Sequence, residues 1–446
     1  MYGWCNLKGV LTVSCIASVS ACMDTSTGVS RAFGSFANSS DGEVVQTSAA
    51  PQAALDANLQ DGTQSEIIED LLNRRSVVGN GAFDQVADAV LAANSRAAEA
   101  DLRAAMLRSE ARASNWLPTL GPNISLTSLG TVVTQLVVAQ VLFDNGKKRA
   151  EREYAQADVE VAAVALAQDT NDRVLTGLSL YLDAEAAKAR AGVNASAMQQ
   201  MERYEYVMSE RVKGGVSSRV DHQIIQQKVN QMRADMVSDH DAAASAFAEL
   251  NAMSAAPLNG VTGLDEIGQP GPNAAPLPVM KAQSEARRAV AEATAARAGF
   301  LPSLTASAGI GSGGNTSGLN VGTENGFGFG TGAAMDALDA SQAAANARVG
   351  QVRENANRSL QSMRTELTSL RRQNAQAQSL AAQAASNFFL FAEQQESGHR
   401  SVPEVVGIFE TKVRTEREAV ALKYDIARME LRIAALMGSL VNGEQI

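Results

Sequence analysis

The sequence predicts a mainly α-helical protein with a small transmembrane β part, built from one helix–hairpin–long helix–helix unit used twice. Three observations carry that expectation. Segments recur at an offset of 184 residues, two stretches of 66 residues lack proline, and two charge-poor stretches alternate at strand period. Trp116-Leu117-Pro118-Thr119-Leu120 returns as Phe300-Leu301-Pro302-Ser303-Leu304. The same offset carries Gly130 to Gly314, Phe143 to Phe327, Gly146 to Gly330 and Gly214 to Gly398. Single glycines and Leu-Pro pairs are common, but their shared order and spacing indicate duplication.

The chain begins with a segment, 1–22, that reads as an export signal: Lys8, then a short apolar run over 9–20. Val19-Ser20-Ala21-Cys22 resembles a bacterial lipoprotein box, in which the cysteine is acylated and becomes the mature N-terminus. The alternative is an ordinary signal peptide that leaves Cys22 a free thiol. Met23 follows the cysteine where an inner-membrane retention signal has Asp, which favours the outer membrane. Residues 23–64 are rich in Ser, Ala and Asp without periodicity and read as an extended or disordered leader.

The first repeat spans 65–255. It opens with a helix over 82–115, followed by a hairpin over 119–143. The long proline-free helix over 147–212 comes next, because an interior proline costs about 3 kcal/mol. Its seam is Val159, Val161, Val164, Leu166, Val174, Leu178 and Leu182. A shorter helix over 219–255 closes the unit. A Pro/Gly linker, 256–277, leads to the second repeat, 278–446, with helix 278–299, hairpin 303–330, long helix 331–396 and helix 402–440. The second long seam is Val349, Val352, Leu360, Met363, Leu367 and Leu370. Helices of 66 residues extend about 100 Å, so coiled-coil-like packing is implied.

In the hairpins, Leu304, Ala306, Ala308 and Ile310 alternate with Thr305, Ser307 and Gly309. Leu319, Val321, Phe327 and Phe329 alternate with Asn320, Gly322 and Gly328. The run over 131–143 (TVVTQLVVAQVLF) alternates imperfectly, which leaves a bulge or two-sided burial open. Strands of about ten residues match tilted membrane spans. Four of them cannot close a lipid-facing barrel, and open edges in hydrocarbon are not viable. Several chains must therefore combine, unless the hairpins merely decorate a soluble helical protein.

Composition excludes other classes. A formal charge of −10 argues against nucleic acid as a partner. The three cysteines, Cys5, Cys15 and Cys22, all lie in the first 22 positions, and His222, His240 and His399 are scattered, so no metal site or other cofactor is expected. Gly309 to Gly314 (GIGSGG) lacks the lysine of a phosphate-binding loop. No Ser/His/Asp arrangement is visible, and the chain is not expected to be an enzyme. Alanine supplies about one residue in six and aromatics 4%, which suits helices packed closely around a thin core.

On these residues the sequence resembles the TolC family of outer-membrane efflux and secretion channels. The resemblance rests on the paired Trp116 and Phe300 motifs and on Leu142-Phe143-Asp144-Asn145-Gly146-Lys147-Lys148-Arg149. Tyr181-Leu182-Asp183-Ala184 and Gly215-Val216-Ser217-Ser218-Arg219-Val220-Asp221 add to it. It covers roughly residues 66–441. It implies a homotrimer with a twelve-stranded β-barrel in outer-membrane lipid and a long α-barrel in the periplasm. It also implies a periplasmic adaptor (membrane fusion) protein and an inner-membrane pump or ABC exporter as partners. The expected function is an outer-membrane channel for drug or small-molecule efflux. The alternatives are the outer-membrane component of type I protein secretion and, outside the channel class, a periplasmic coiled-coil scaffold lipoprotein.

The resemblance further implies a periplasmic gate. Asp221 and Arg400 match the family's helix-linking acid and its basic partner, and Glu404 matches one acid of a constricting ring. Gly407 and Gln395 replace a second ring acid and a locking tyrosine. The other reading makes all three charges ordinary helix-start residues. Trp116, Phe143 and Phe327 suit either a membrane-interface belt or packing where strands meet helices. Lys147, Lys148 and Arg149 suit either headgroup contact or a solvated helix start.

Overall fold

The computed structural model describes residues 65–445 apart from 94–96, 127–131, 272–273, 313 and 327. Cys22, the signal segment, the leader and Phe327 therefore lie outside the described residues. Before the Pro/Gly segment come α1 (Glu66–Leu72), α2 (Ala82–Ala92), α3 (Ala97–Ala113), β1 (Thr119–Leu126), β2 (Val132–Phe143), α4 (Lys147–Lys213) and α5 (Arg219–Ala252). After it come α6 (Leu277–Ala298), β3 (Ser303–Gly311), β4 (Thr316–Gly322), α7 (Thr331–Glu396) and α8 (Val402–Leu436). Both hairpins and both long helices begin at an offset of 184, and α5 and α8 at 183.

The one-residue drift has a local cause at the turns. After α4, Gly215 takes φ 72° while the Val216 N–H reaches back to the Arg211 carbonyl at 2.8 Å. After α7, Gly398 takes φ 81° and the His399 N–H reaches the Gln394 carbonyl at 2.8 Å. Both are Schellman stops, which place a left-handed residue just past the helix end. The equivalent of Gly398 is thus Gly215, not the Gly214 that the sequence offset pairs with it.

Helix α4, 67 residues long, is the spine. Three hydrophobic clusters follow one another along it. The first gathers Val159, Val164 and Leu166 with Ile67, Leu71, Leu102 and Met280. The second centres on Tyr181, which meets Phe83 and Phe247 edge-on at 6.0 and 6.4 Å. The third, near the turns, joins Met201, Tyr204 and Met208 to Ile225, Phe388, Val405 and Phe409. Of the α4 seam read from sequence, all but the half-buried Val161 are buried. Gly177 explains how closely α2 approaches: a Cβ there would lie 2.8 Å from a Val90 methyl.

Helix α7 behaves differently. Only Ala345, Ala356 and Phe388 are buried among its 66 residues. Its seam residues Val349, Val352, Leu360, Met363, Leu367 and Leu370 are half-buried against α6 and α8, and most of the remaining surface faces solvent. Isolated helices are marginal in water, and long ones owe their stability to packing.

The single helix expected over 82–115 is two. α2 ends at Ala92, where Arg173 of α4 takes the Val90 and Ala93 carbonyls at 2.9 and 2.6 Å and so satisfies the helix end. The linker is packed rather than loose. The Gly263 carbonyl accepts the Tyr181 hydroxyl at 2.8 Å, and Asp265 accepts the Phe83 N–H at 2.8 Å at the start of α2. Arg74 clasps this region: its guanidinium donates to Asp70, to the Ala275 carbonyl at 2.7 Å and to the Met437 carbonyl. Among the described residues no helix is long and apolar enough to cross a membrane.

Candidate functional site

The four strands form one antiparallel sheet in the order β1-β2-β3-β4, so β1 and β4 are open edges. Register decides which residues share a face. Leu120, Pro122 and Ile124 of β1 sit opposite Val138, Leu136 and Thr134 of β2. Leu136 and Val138 in turn oppose Ile310 and Ala308 of β3, and Leu304 and Ala306 oppose Val321 and Leu319 of β4. One face is therefore mainly apolar, with Thr134, Gln140 and Ser317 as its polar members, and it lies open: Leu136 is 52% exposed, Ile310 70% and Val321 73%. The other face presents Thr119, Asn123, Gln135, Ser303, Thr305, Ser307 and Asn320, with Val133, Val137 and Val141 from central β2.

Of the two explanations left open for the imperfect β2 alternation, the bulge applies: the register slips between Val141 and Phe143, whereas no residue of β2 is buried, although apolar residues occur on both of its faces. The bulge sets Phe143 opposite Leu304, on the apolar face. In β4 the outcome departs from the sequence reading. The strand stops at Gly322, so Phe329 is not a strand residue but an exposed one in the turn before α7. Glu324 pairs with Lys147 and the Asn325 N–H bonds the Gly299 carbonyl at 3.0 Å, which pulls the chain off the sheet.

Trp116, 61% exposed, lies where α3 gives way to β1, and its carbonyl accepts Gln140 Nε2 at 2.7 Å. Phe143 is likewise exposed at the end of β2. Both occupy the end of the sheet nearest the helices. There Asn145 (φ 52°) and Gly146 (φ 84°) turn the chain into α4, and Asp144 accepts the Gly146 and Lys148 N–H groups at 3.1 and 2.7 Å. The motif around Asp144 thus joins strand to helix.

At the far end, Asp221 and Glu404 occupy matching places, each the third helical residue after a serine cap, Ser218 or Ser401. Glu404 completes a capping box: it accepts the Ser401 N–H at 2.9 Å and the Ser401 hydroxyl at 3.0 Å. These two bonds, with Arg400 adding to them, hold its carboxyl below the usual carboxylate range. Arg400 lies 3.7 Å from Glu404, donates to Gln394 Oε1 at 3.1 Å and stacks over Phe391 at 4.7 Å. Within one chain, then, Arg400 and Glu404 come together, and Arg400 engages these groups rather than Asp221. The Ser-x-x-Glu spacing is legible as a box; the Phe391 stack is not, because it needs the path of the turn.

Behind this end two ion pairs bridge α5 and α8, which otherwise touch little. Lys228 pairs with Glu410, and buried Asp239 holds Arg417 at 2.8 Å and Arg190 of α4 at 2.9 Å. Sequence reading missed them, since scattered charges carry no local signal of a partner more than 170 residues away.

No family sequence model and no curated protein sequence matches the chain. Solved structures do match over most of the chain, outer membrane channels among them. A membrane protein from Pseudomonas aeruginosa is 18% identical, with 85% of this chain and 94% of that one covered and a TM-score of 0.68. The outer membrane protein VceC from Vibrio cholerae is 15% identical over 80% and 97%, TM-score 0.68. The Campylobacter jejuni CmeC outer membrane channel is 13% identical over 80% and 86%, TM-score 0.64. The chain has the fold of the TolC-family outer-membrane channels.

Proposed function

We propose that this chain is one of three identical subunits of an outer-membrane channel that spans part of the periplasm, and that it exports drugs or other small molecules. The observation that carries the reading is the sheet: an exposed apolar face, a polar opposite face and two unpaired edges. Such a sheet is viable in hydrocarbon only when its edges are paired. An even number of antiparallel strands lets copies join antiparallel at every seam, and three copies supply twelve strands. The uncovered surface of α7 is then the flank against the next subunit, and the helices continue the tube below the membrane. The likeness to VceC and CmeC, an outer membrane protein and an outer membrane channel by their descriptions, supports the same placement.

The subunit opens and closes rather than catalyses. An adaptor protein and an inner-membrane pump supply the energy; type I protein secretion through an ABC exporter is the alternative with the same channel. At the mouth, three Glu404 side chains repel anions and attract cations. Asp221 and Arg400 link neighbouring helix pairs across the trimer, where each exposed pair contributes about 0–1 kcal/mol. Trp116, Phe143 and Phe327 form the interfacial belt, and Cys22 carries a lipid. A scaffold lipoprotein without a pore has no use for the amphipathic sheet.

Purified protein in planar lipid bilayers tests the reading. Discrete conductance steps from trimers are expected, and trimers that never conduct would refute it. Glu404→Gln weakens cation selectivity, whereas Asp221→Ala or Arg400→Ala raises conductance. Unchanged currents in all three remove these residues from the gate. Labelled palmitate is incorporated and is lost in Cys22→Ser; label persisting in that variant refutes acylation there.

A further inference from the structure

The described strands carry no charged residue at all: neither β1 and β2 nor β3 and β4 contain Asp, Glu, Lys or Arg. In the channel proposed above, on which this inference rests, the barrel wall therefore cannot select ions by charge. The first charges stand at the foot of the sheet, around a cleft of about 420 Å³. Ser303, Thr305 and Asn320 of the polar face line it, so the cleft opens on the side of the sheet that faces water in that channel.

Five charged residues complete the lining: Asp144, Glu151, Glu324, Lys147 and Lys148. Lys147 sits between two of the acids, paired with Glu324 and 3.8 Å from Glu151. Asp144 is committed to the backbone N–H groups of Gly146 and Lys148. Glu324 reaches furthest into water, 61% exposed against 27% for Lys147. Three acids against two bases leave each chain with one net negative charge here.

We propose that Lys147 and Glu324 form a charge collar at the base of the barrel that sets its ion preference, with Glu324 favouring cations and Lys147 limiting that preference. Distances make this workable. Twelve strands about 4.8 Å apart and tilted by about 40° give a backbone radius of about 12 Å. Side chains narrow the bore further, so a permeating ion passes within about one Debye length, about 10 Å at 0.1 M salt, of each collar. At 1 M the screening length falls to about 3 Å and the collar fades.

The test is the reversal potential of the full-length protein in planar bilayers under a potassium chloride gradient. The variants are made in a Glu404→Gln background, so that the mouth acid does not mask them. Lys147→Gln raises the potassium-to-chloride permeability ratio several-fold, and Glu324→Gln lowers it several-fold. Both shifts shrink toward nothing when the gradient is centred near 1 M. Independently, Glu324→Cys responds to positively and negatively charged thiol reagents with current steps of opposite sign, which the unaltered protein lacks. Conducting channels with unchanged reversal potentials and no reagent steps overturn the collar and leave the channel reading standing. Unaltered trimers that do not conduct overturn the channel reading and the collar with it.

Discussion

Adjacent residues of β2 give the sharpest perturbation of the sheet. Leu136 is the fifth of twelve residues in the strand, near mid-depth, and it is flanked by Pro122 and Ile310 on the apolar face. Gln135 is flanked by Asn123 and Gly311 on the other face. Leu136→Arg removes a side chain worth about 2 kcal/mol in an apolar surrounding. It also sets a charge near the bilayer midplane at about 2–4 kcal/mol. The sum is about 4–6 kcal/mol per chain, or about 12–18 for three copies, which matches or exceeds the whole stability of a typical domain. Gln135→Arg faces water and costs about 0.5 kcal/mol or less. The assay is the amount of heat-resistant trimer recovered from the outer-membrane fraction. Trimer is lost in Leu136→Arg and kept in Gln135→Arg. Equal recovery of both variants refutes the assignment of faces, and with it the lipid-facing sheet.

Other expectations concern the packed core. Arg74→Met leaves the Met437 and Ala275 carbonyls without their donor and lowers stability by about 1–3 kcal/mol, read as a fall in urea midpoint. Tyr181→Phe costs about 0.5–1.5 kcal/mol in the same assay, because the hydrogen bond to the Gly263 carbonyl is lost while that exposed residue stays open to water. The Asp84 carboxyl is held above the usual range by burial and by the nearby Asp88 and Asp265. A raised folded-state pKa contributes stability below the unfolded value near 3.8 that is lost as pH rises through the folded one. Asp84→Asn therefore flattens that part of the stability–pH curve in thermal melts; an unchanged slope counts against the assignment.

Legibility in the sequence followed the range of the signal. Long helices were readable because proline-free length and a seam such as Val174, Leu178 and Leu182 are local patterns, and the three clusters on α4 use that seam. The hairpins were readable from charge-poor stretches, from the strand period of residues such as Leu304, Ala306, Ala308 and Ile310, and from the repeat offset. The end of β4 was not, because it depends on Glu324 and Asn325 docking onto Lys147 and Gly299. The break between α2 and α3 depends on Arg173, some eighty residues away. At the start of α8, the Ser401–Glu404 box lies within four residues and was open to reading. The Arg400–Phe391 stack and the Asp239 bridge needed the folded chain.

Everything rests on the open edges of the sheet being closed by copies of the same chain. Within one chain β1 and β4 are separated by three strand spacings, about 14 Å, which is beyond disulfide reach. Cysteines placed at Asn123 and, in turn, at Gly318, Asn320 and Gly322 can therefore bridge only between chains. One register yields disulfide-linked species ending at the trimer on a non-reducing gel. No cross-link at any register, or a ladder continuing past the trimer, would contradict that closure.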